Sequence, residues 1–82
     1  MENEGEIINL CISLLKTTFL IPDYVVTRST SPPDIGPWDS LGHISLLLAL
    51  QQLFNIEFSL DEMDEVHNFG EIVDLVVAKV NS

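Results

Sequence analysis

All four prolines of this chain lie between Pro22 and Pro37, within one stretch of roughly twenty residues from Leu20 to Asp39. A proline in a helix interior removes a backbone donor and clashes with the preceding turn. Helices are therefore confined to the two flanks, which contain no proline. The stretch also holds the polar run Thr27-Arg28-Ser29-Thr30-Ser31 and shows no helical period. Tyr24-Val25-Val26 can extend briefly but has no evident strand partner. A connection of this length exceeds the usual spacing between packed helices, and such loops tend to serve a function.

The flanks read as helices. Residues from about Glu4 to Phe19 carry Ile7, Ile8, Cys11, Leu14, Leu15 and Thr18 at the spacing of an amphipathic helix. Asn3 or Gly5 can cap it, the early glutamates complement its positive end, and Pro22 closes it. A second helix is expected from about Ser40 to Asn55, because asparagine tolerates the left-handed stop. Ser59-Leu60-Asp61-Glu62 sets a carboxylate three residues after a hydroxyl, the pattern of a capping box, and predicts a short acidic helix to roughly Val66. Asn68-Phe69-Gly70-Glu71 is a second such start, opening a last helix to about Val80 on Ile72, Val73, Val76, Val77 and Val80. Three longer helices, one short helix and no convincing strand make an all-α fold, a small four-helix bundle with a long loop between helices 1 and 2. At 82 residues, positions 1–82 are expected to form a single domain.

Thirteen acids against Lys16, Arg28 and Lys79 leave a net charge of −10. Such a surface repels phosphate backbones and anionic lipid, so neither nucleic acid nor a membrane surface is an expected partner. It favours basic partners, or simply solubility. Cys11 is the only cysteine, which excludes an internal disulfide, and its apolar neighbours mark it as a small buried hydrophobe. Glu2, Glu4 and Glu6 stand where a secretory signal needs positive charge, and the apolar stretch behind them is too short to span a bilayer. A cytoplasmic location without membrane insertion is expected.

The second helix carries apolar residues on two faces. At about 100° per residue, Leu46, Leu47, Leu50, Leu53 and Phe54 share one arc wide enough to be the core stripe. Leu41, Ile44 and Leu48 share a different arc, flanked by Ser45, Gln51 and Gln52. Either the long loop covers this second strip or the strip docks a partner. We favour docking, because the strip begins one residue after Ser40 and would bring a partner beside that hydroxyl.

Asp39-Ser40 ahead of a helix is ordinarily a cap. A hydrolytic serine needs a base held by a third group. His43 can approach Ser40 on the same turn, but no acid is evident behind it and no Gly-x-Ser-x-Gly elbow surrounds the serine. His43 and His67 alone make no metal site, and Asp61-Glu62-Met63-Asp64 lacks the spacing and glycine of a calcium loop. An enzyme is not expected. His67 reads as a surface residue, and Trp38 either pins the loop or touches a bound group.

Asp34-Ile35-Gly36 followed by Asp39-Ser40-Leu41 resembles the attachment motif of acyl and peptidyl carrier proteins. The similarity runs from Ser40 to Phe58 without a gap, through Leu46, Leu47, Leu50, Phe54 and the Asn-Ile-Glu-Phe end, and continues more weakly into Ile72-Val73-Asp74-Leu75-Val76. Length and helix order also agree. The resemblance implies that Ser40 receives 4′-phosphopantetheine from coenzyme A, attached by a phosphopantetheinyl transferase using Mg²⁺. The arm would hold an acyl or aminoacyl group as a thioester between a loading enzyme, adenylating or acyl-transferring, and a downstream acceptor enzyme. It places partner contacts at Asp39, Leu41, Ile44 and Leu48, and the chain is read as a monomer. Two departures point to a specialised pathway. Ser40 to Ile56 contains no acid, where carriers of fatty acid synthesis usually have several glutamates. Pro37-Trp38 before Asp-Ser is one residue longer than the fatty-acid pattern and resembles D-alanyl and stand-alone carriers. The alternative reading is a helical interaction module without a prosthetic group.

Overall fold

Each helix begins on a short polar side chain that accepts a hydrogen bond from the amide three residues ahead. The computed structural model describes residues 3–81; Glu2 of the N-terminal acidic run lies outside them. Helix α1 (Glu4–Phe19) starts on Asn3, whose Oδ1 accepts from the Glu6 amide at 2.8 Å. Helix α2 (Ser40–Phe54) starts on Asp39, which accepts from the Gly42 amide at 2.8 Å. Ser59 opens α3 (Leu60–Glu65) through the expected reciprocal box with Glu62. Asn68 opens α4 (Phe69–Val80), but here the Glu71 carboxylate accepts from the His67 amide, one residue before the cap. These local bonds satisfy donors that the first turn of a helix cannot pair by itself.

The stops follow similar logic. Asn55 ends α2 in the left-handed conformation, as expected. Helix α1 ends earlier than its proline: Leu20 turns left-handed at φ 56°, and the Ile21 amide donates back to the Lys16 carbonyl at 2.9 Å. Pro22 follows the stop and does not create it.

Helix α1 packs on both α2 and α4, which also meet each other. Ile7, Cys11, Leu15 and Phe19 face Leu46, Leu47 and Leu50 of α2 and Ile72, Val73 and Val76 of α4 in one buried cluster. Burial pushes the Cys11 thiol up to about 12, so it behaves as a small apolar side chain. Phe54 packs against this cluster while partly buried, but Leu53 is 48% exposed, against the expectation that it joins the core stripe. Leu53 stands at the edge of the apolar arc, in the final turn of α2.

The proline-rich loop contains no strand among the described residues; its one regular piece is a 3₁₀ turn over Pro32–Asp34. It is fastened to the start of α4. The Phe69 amide donates to the Thr30 carbonyl at 2.8 Å, the Gly70 amide to the Arg28 carbonyl at 2.9 Å, and Arg28 pairs with Asp74 at 2.7 Å. A Cβ at position 70 would lie 3.0 Å from the Arg28 carbonyl oxygen and Cβ, so glycine lets the latch close this tightly. Beyond the latch the loop sends Ile35 and Trp38 into the core. Helix α3 is tied down by buried Met63 and by the Glu62–Lys79 pair at 2.9 Å. The Ser59 amide first, then Lys79, holds the Glu62 carboxyl below its ordinary range. No described helix is long and apolar enough to cross a membrane.

Candidate functional site

Ser40 is the first residue of α2, and its position follows from the two residues around it. Asp39 makes the cap bond, so the Ser40 side chain is not consumed in capping. Ser40 is exposed, and its hydroxyl makes no hydrogen bond among the described residues. Gly42 lets the first turn approach the loop closely. A Cβ there would lie 2.5 Å from the Pro37 carbonyl oxygen and 2.9 Å from the Phe19 ring. Phe19, Pro37 and Gly42 thus set the position of the turn that carries the serine.

His43 does not serve Ser40. The Trp38 Nε1–H donates to His43 Nδ1 at 3.0 Å, and the other ring nitrogen lies 2.9 Å from the Met63 carbonyl oxygen. An indole N–H can only donate and a carbonyl can only accept, so Nδ1 is the bare nitrogen and Nε2 carries the proton. Both nitrogens are committed, and the nucleophile–base pair of a hydrolase is not assembled. Trp38 is buried at 2% exposure, stacks on Phe19 at 5.8 Å and lies nearly coplanar with His43, ring centres 6.1 Å apart. It pins the loop, as one of its two sequence readings expects.

A cleft of about 770 Å³ opens beside the serine. Ser40, His43 and Ile44 of α2, Leu60, Met63 and Asp64 of α3 and Trp38 of the loop line it. Its size is that of a small-molecule site. His67, exposed as expected, also reaches its edge. Of the predicted contact residues, Leu41 is 74%, Ile44 44% and Leu48 46% exposed. The loop leaves this strip open because it is latched to α4 instead. Asp39, the fourth predicted contact, is exposed beside Ser40.

Sequence reasoning missed Leu60, 82% exposed across the cleft from Ile44, and the brace through His43. A signal for the brace was present: at 100° per residue His43 falls between Leu47 and Leu50 on the core arc. No group of three or more candidate metal ligands occurs among the described residues.

A helical bundle that presents one free hydroxyl at a helix start, beside an apolar strip and a cleft, is built as a carrier rather than a catalyst. No family model matches the chain. The acyl carrier protein of Guillardia theta is 29% identical over 79 residues, spanning 95% of this chain and 96% of that protein. The solution NMR structure of a holo acyl carrier protein from Geobacter metallireducens superposes with a TM-score of 0.84 at 34% identity, covering 90% of this chain and 85% of that one. The chain belongs to the acyl carrier protein family. It is a carrier and not an enzyme, and the prosthetic group of its family is covalent 4′-phosphopantetheine.

The start of α2 fits such a group. The phosphodiester would sit at the positive end of a helix that has no acid within its own first turn. The cleft beside Ser40 would give the rest of such an arm a partly apolar surface.

Proposed function

We propose that Ser40 is the attachment site and that residues 1–82 form one carrier domain serving a specialised pathway with acyl or aminoacyl cargo. The observation that carries this reading is the exposed, unbonded Ser40 hydroxyl at the capped start of α2. In the loading step Ser40 Oγ attacks the pantetheine-bearing phosphorus of coenzyme A. The Ser40 O–P bond forms, the phosphoanhydride bond breaks, 3′,5′-ADP leaves with its electrons, and the hydroxyl proton passes to a base of the transferase. This division of labour explains why no base is needed in cis. When attached, the arm supplies a thiol that holds cargo as a thioester.

Asp39, Leu41, Ile44 and Leu48 form the docking face for the transferase, the loading enzyme and the acceptor. Because α2 carries no acid, docking there rests on apolar contact, and charge attraction comes from other parts of the chain. A monomer working in the cytoplasm suits this role.

The test is modification in vitro. Incubation with coenzyme A, Mg²⁺ and a broad-specificity phosphopantetheinyl transferase should add the mass of one phosphopantetheine, and Ser40→Ala should abolish the gain. A folded wild type that gains no mass would leave the interaction module as the better reading.

A further inference from the structure

We infer that Trp38 and His43 close the interior of the bundle beneath Ser40, so that this carrier keeps its arm and cargo in the surface cleft. The inference rests on the reading of Ser40 as the attachment site.

The brace is continuous across the molecule. Phe19 at the end of α1 stacks on Trp38 of the loop, Trp38 donates to His43 of α2, and His43 is bonded to the Met63 carbonyl of α3. Trp38 and His43 both border the cleft, and Trp38 is among the largest fully buried side chains. The way inward between α2 and α3, beside Ser40, is crossed by the His43–Met63 bond. An aliphatic chain taking that path breaks the bond and pushes the indole from its place, leaving a buried N–H without an acceptor. The space behind it is occupied by close-packed side chains and yields only by rearrangement. An acetyl-sized or aminoacyl group needs no such path, because the cleft of about 770 Å³ lies outside the brace. His43 touches neither the reacting hydroxyl nor its proton. It is a positioning residue, acting through Trp38 and Met63.

Two measurements test this. In the first, free octanoyl-pantetheine is titrated into the unmodified protein and followed by amide NMR. Shifts should appear at cleft residues Ile44, Leu60 and Asp64 and leave Ile72 and Val76 unmoved. In His43→Ala the shifts should extend to Ile72 and Val76. His43→Gln, which keeps one acceptor and one donor, should confine them again. In the second, protein loaded with acetyl or octanoyl arms is treated with hydroxylamine. The wild type should lose both cargoes at the same rate, whereas a chain sequestered nine parts in ten would be cleaved about tenfold more slowly. Interior shifts in the wild type, octanoyl protection in the wild type, or an interior that stays shut in a folded His43→Ala would each overturn the inference. Failure to load would refute Ser40 as the attachment site, while the titration of unmodified protein still decides whether the interior is closed.

Discussion

Leu47 and Leu48 are neighbours in the chain, yet Leu47 is fully shielded while nearly half of Leu48 faces solvent. The same contrast separates Leu46 and Leu50 from Leu41 and Ile44. Rotation about the helix axis decides which side each residue takes, but it does not explain why the second side stays open. The loop does. It has the length to cover the strip, and its backbone is instead tied to α4 at Thr30 and Arg28, from where Ile35 and Trp38 enter the core. One face of α2 therefore holds the bundle together, and the other is left open to solvent. In so small a protein the two faces share a single helix, and the exposed Ser40 sits at its first position.

The comparison breaks most readily at Leu47. Replacing it with alanine removes buried methyl groups and leaves a cavity, at a cost of about 2–5 kcal/mol. Urea unfolding should show a much lower midpoint with little change in slope. A cost no larger than that of Leu48→Ala would mean that the two faces are not distinct.

Asp39→Ala should have the next largest effect. It removes the acceptor of the Gly42 amide and should cost about 0.5–2 kcal/mol, whereas Asp39→Asn retains an acceptor and most of the stability. The same unfolding midpoints decide it. If Ser40→Ala destabilised as much as Asp39→Ala, Ser40 would be sharing the cap, and its hydroxyl would not be free for modification.

Much of this division could be read from residues close together in the chain. The helix starts at Asn3, Asp39, Ser59 and Asn68 follow from side chains that cap amides three positions ahead, and the two apolar arcs of α2 follow from periodicity. Capping alone makes Asp39-Ser40 an ordinary helix start, and Ser40 stands out only because Asp39-Ser40-Leu41 resembles a carrier attachment motif. What could not be read depends on partners far apart in sequence. Arg28 meets Asp74 from 46 positions away, and His43 meets Met63 from 20 away. Periodicity tells which face a residue occupies but not what stands opposite. It placed Leu53 in the core, where the structure leaves it half exposed, and it gave no sign that Leu60 would extend the exposed strip across the cleft. Gly42 shows the same limit: its need for a bare Cα comes from Phe19 and Pro37, not from its own helix.

The smallest expected change in stability belongs to Leu48→Glu, and it bears most directly on the open face. Leu48 is 46% exposed and flanked on its arc by polar side chains, so a glutamate there can keep its charge in water. Unfolding free energy should move by only about 0.5 kcal/mol. Docking should respond differently, because a charge placed in an apolar contact must lose its water when the partner seats. With the transferase held limiting, Leu48→Glu should slow attachment at Ser40 while the final extent of modification stays complete, as read by mass against time. The separation of the two readouts is what identifies a docking residue. A core residue would lose stability and modification together, and a solvated bystander would lose neither.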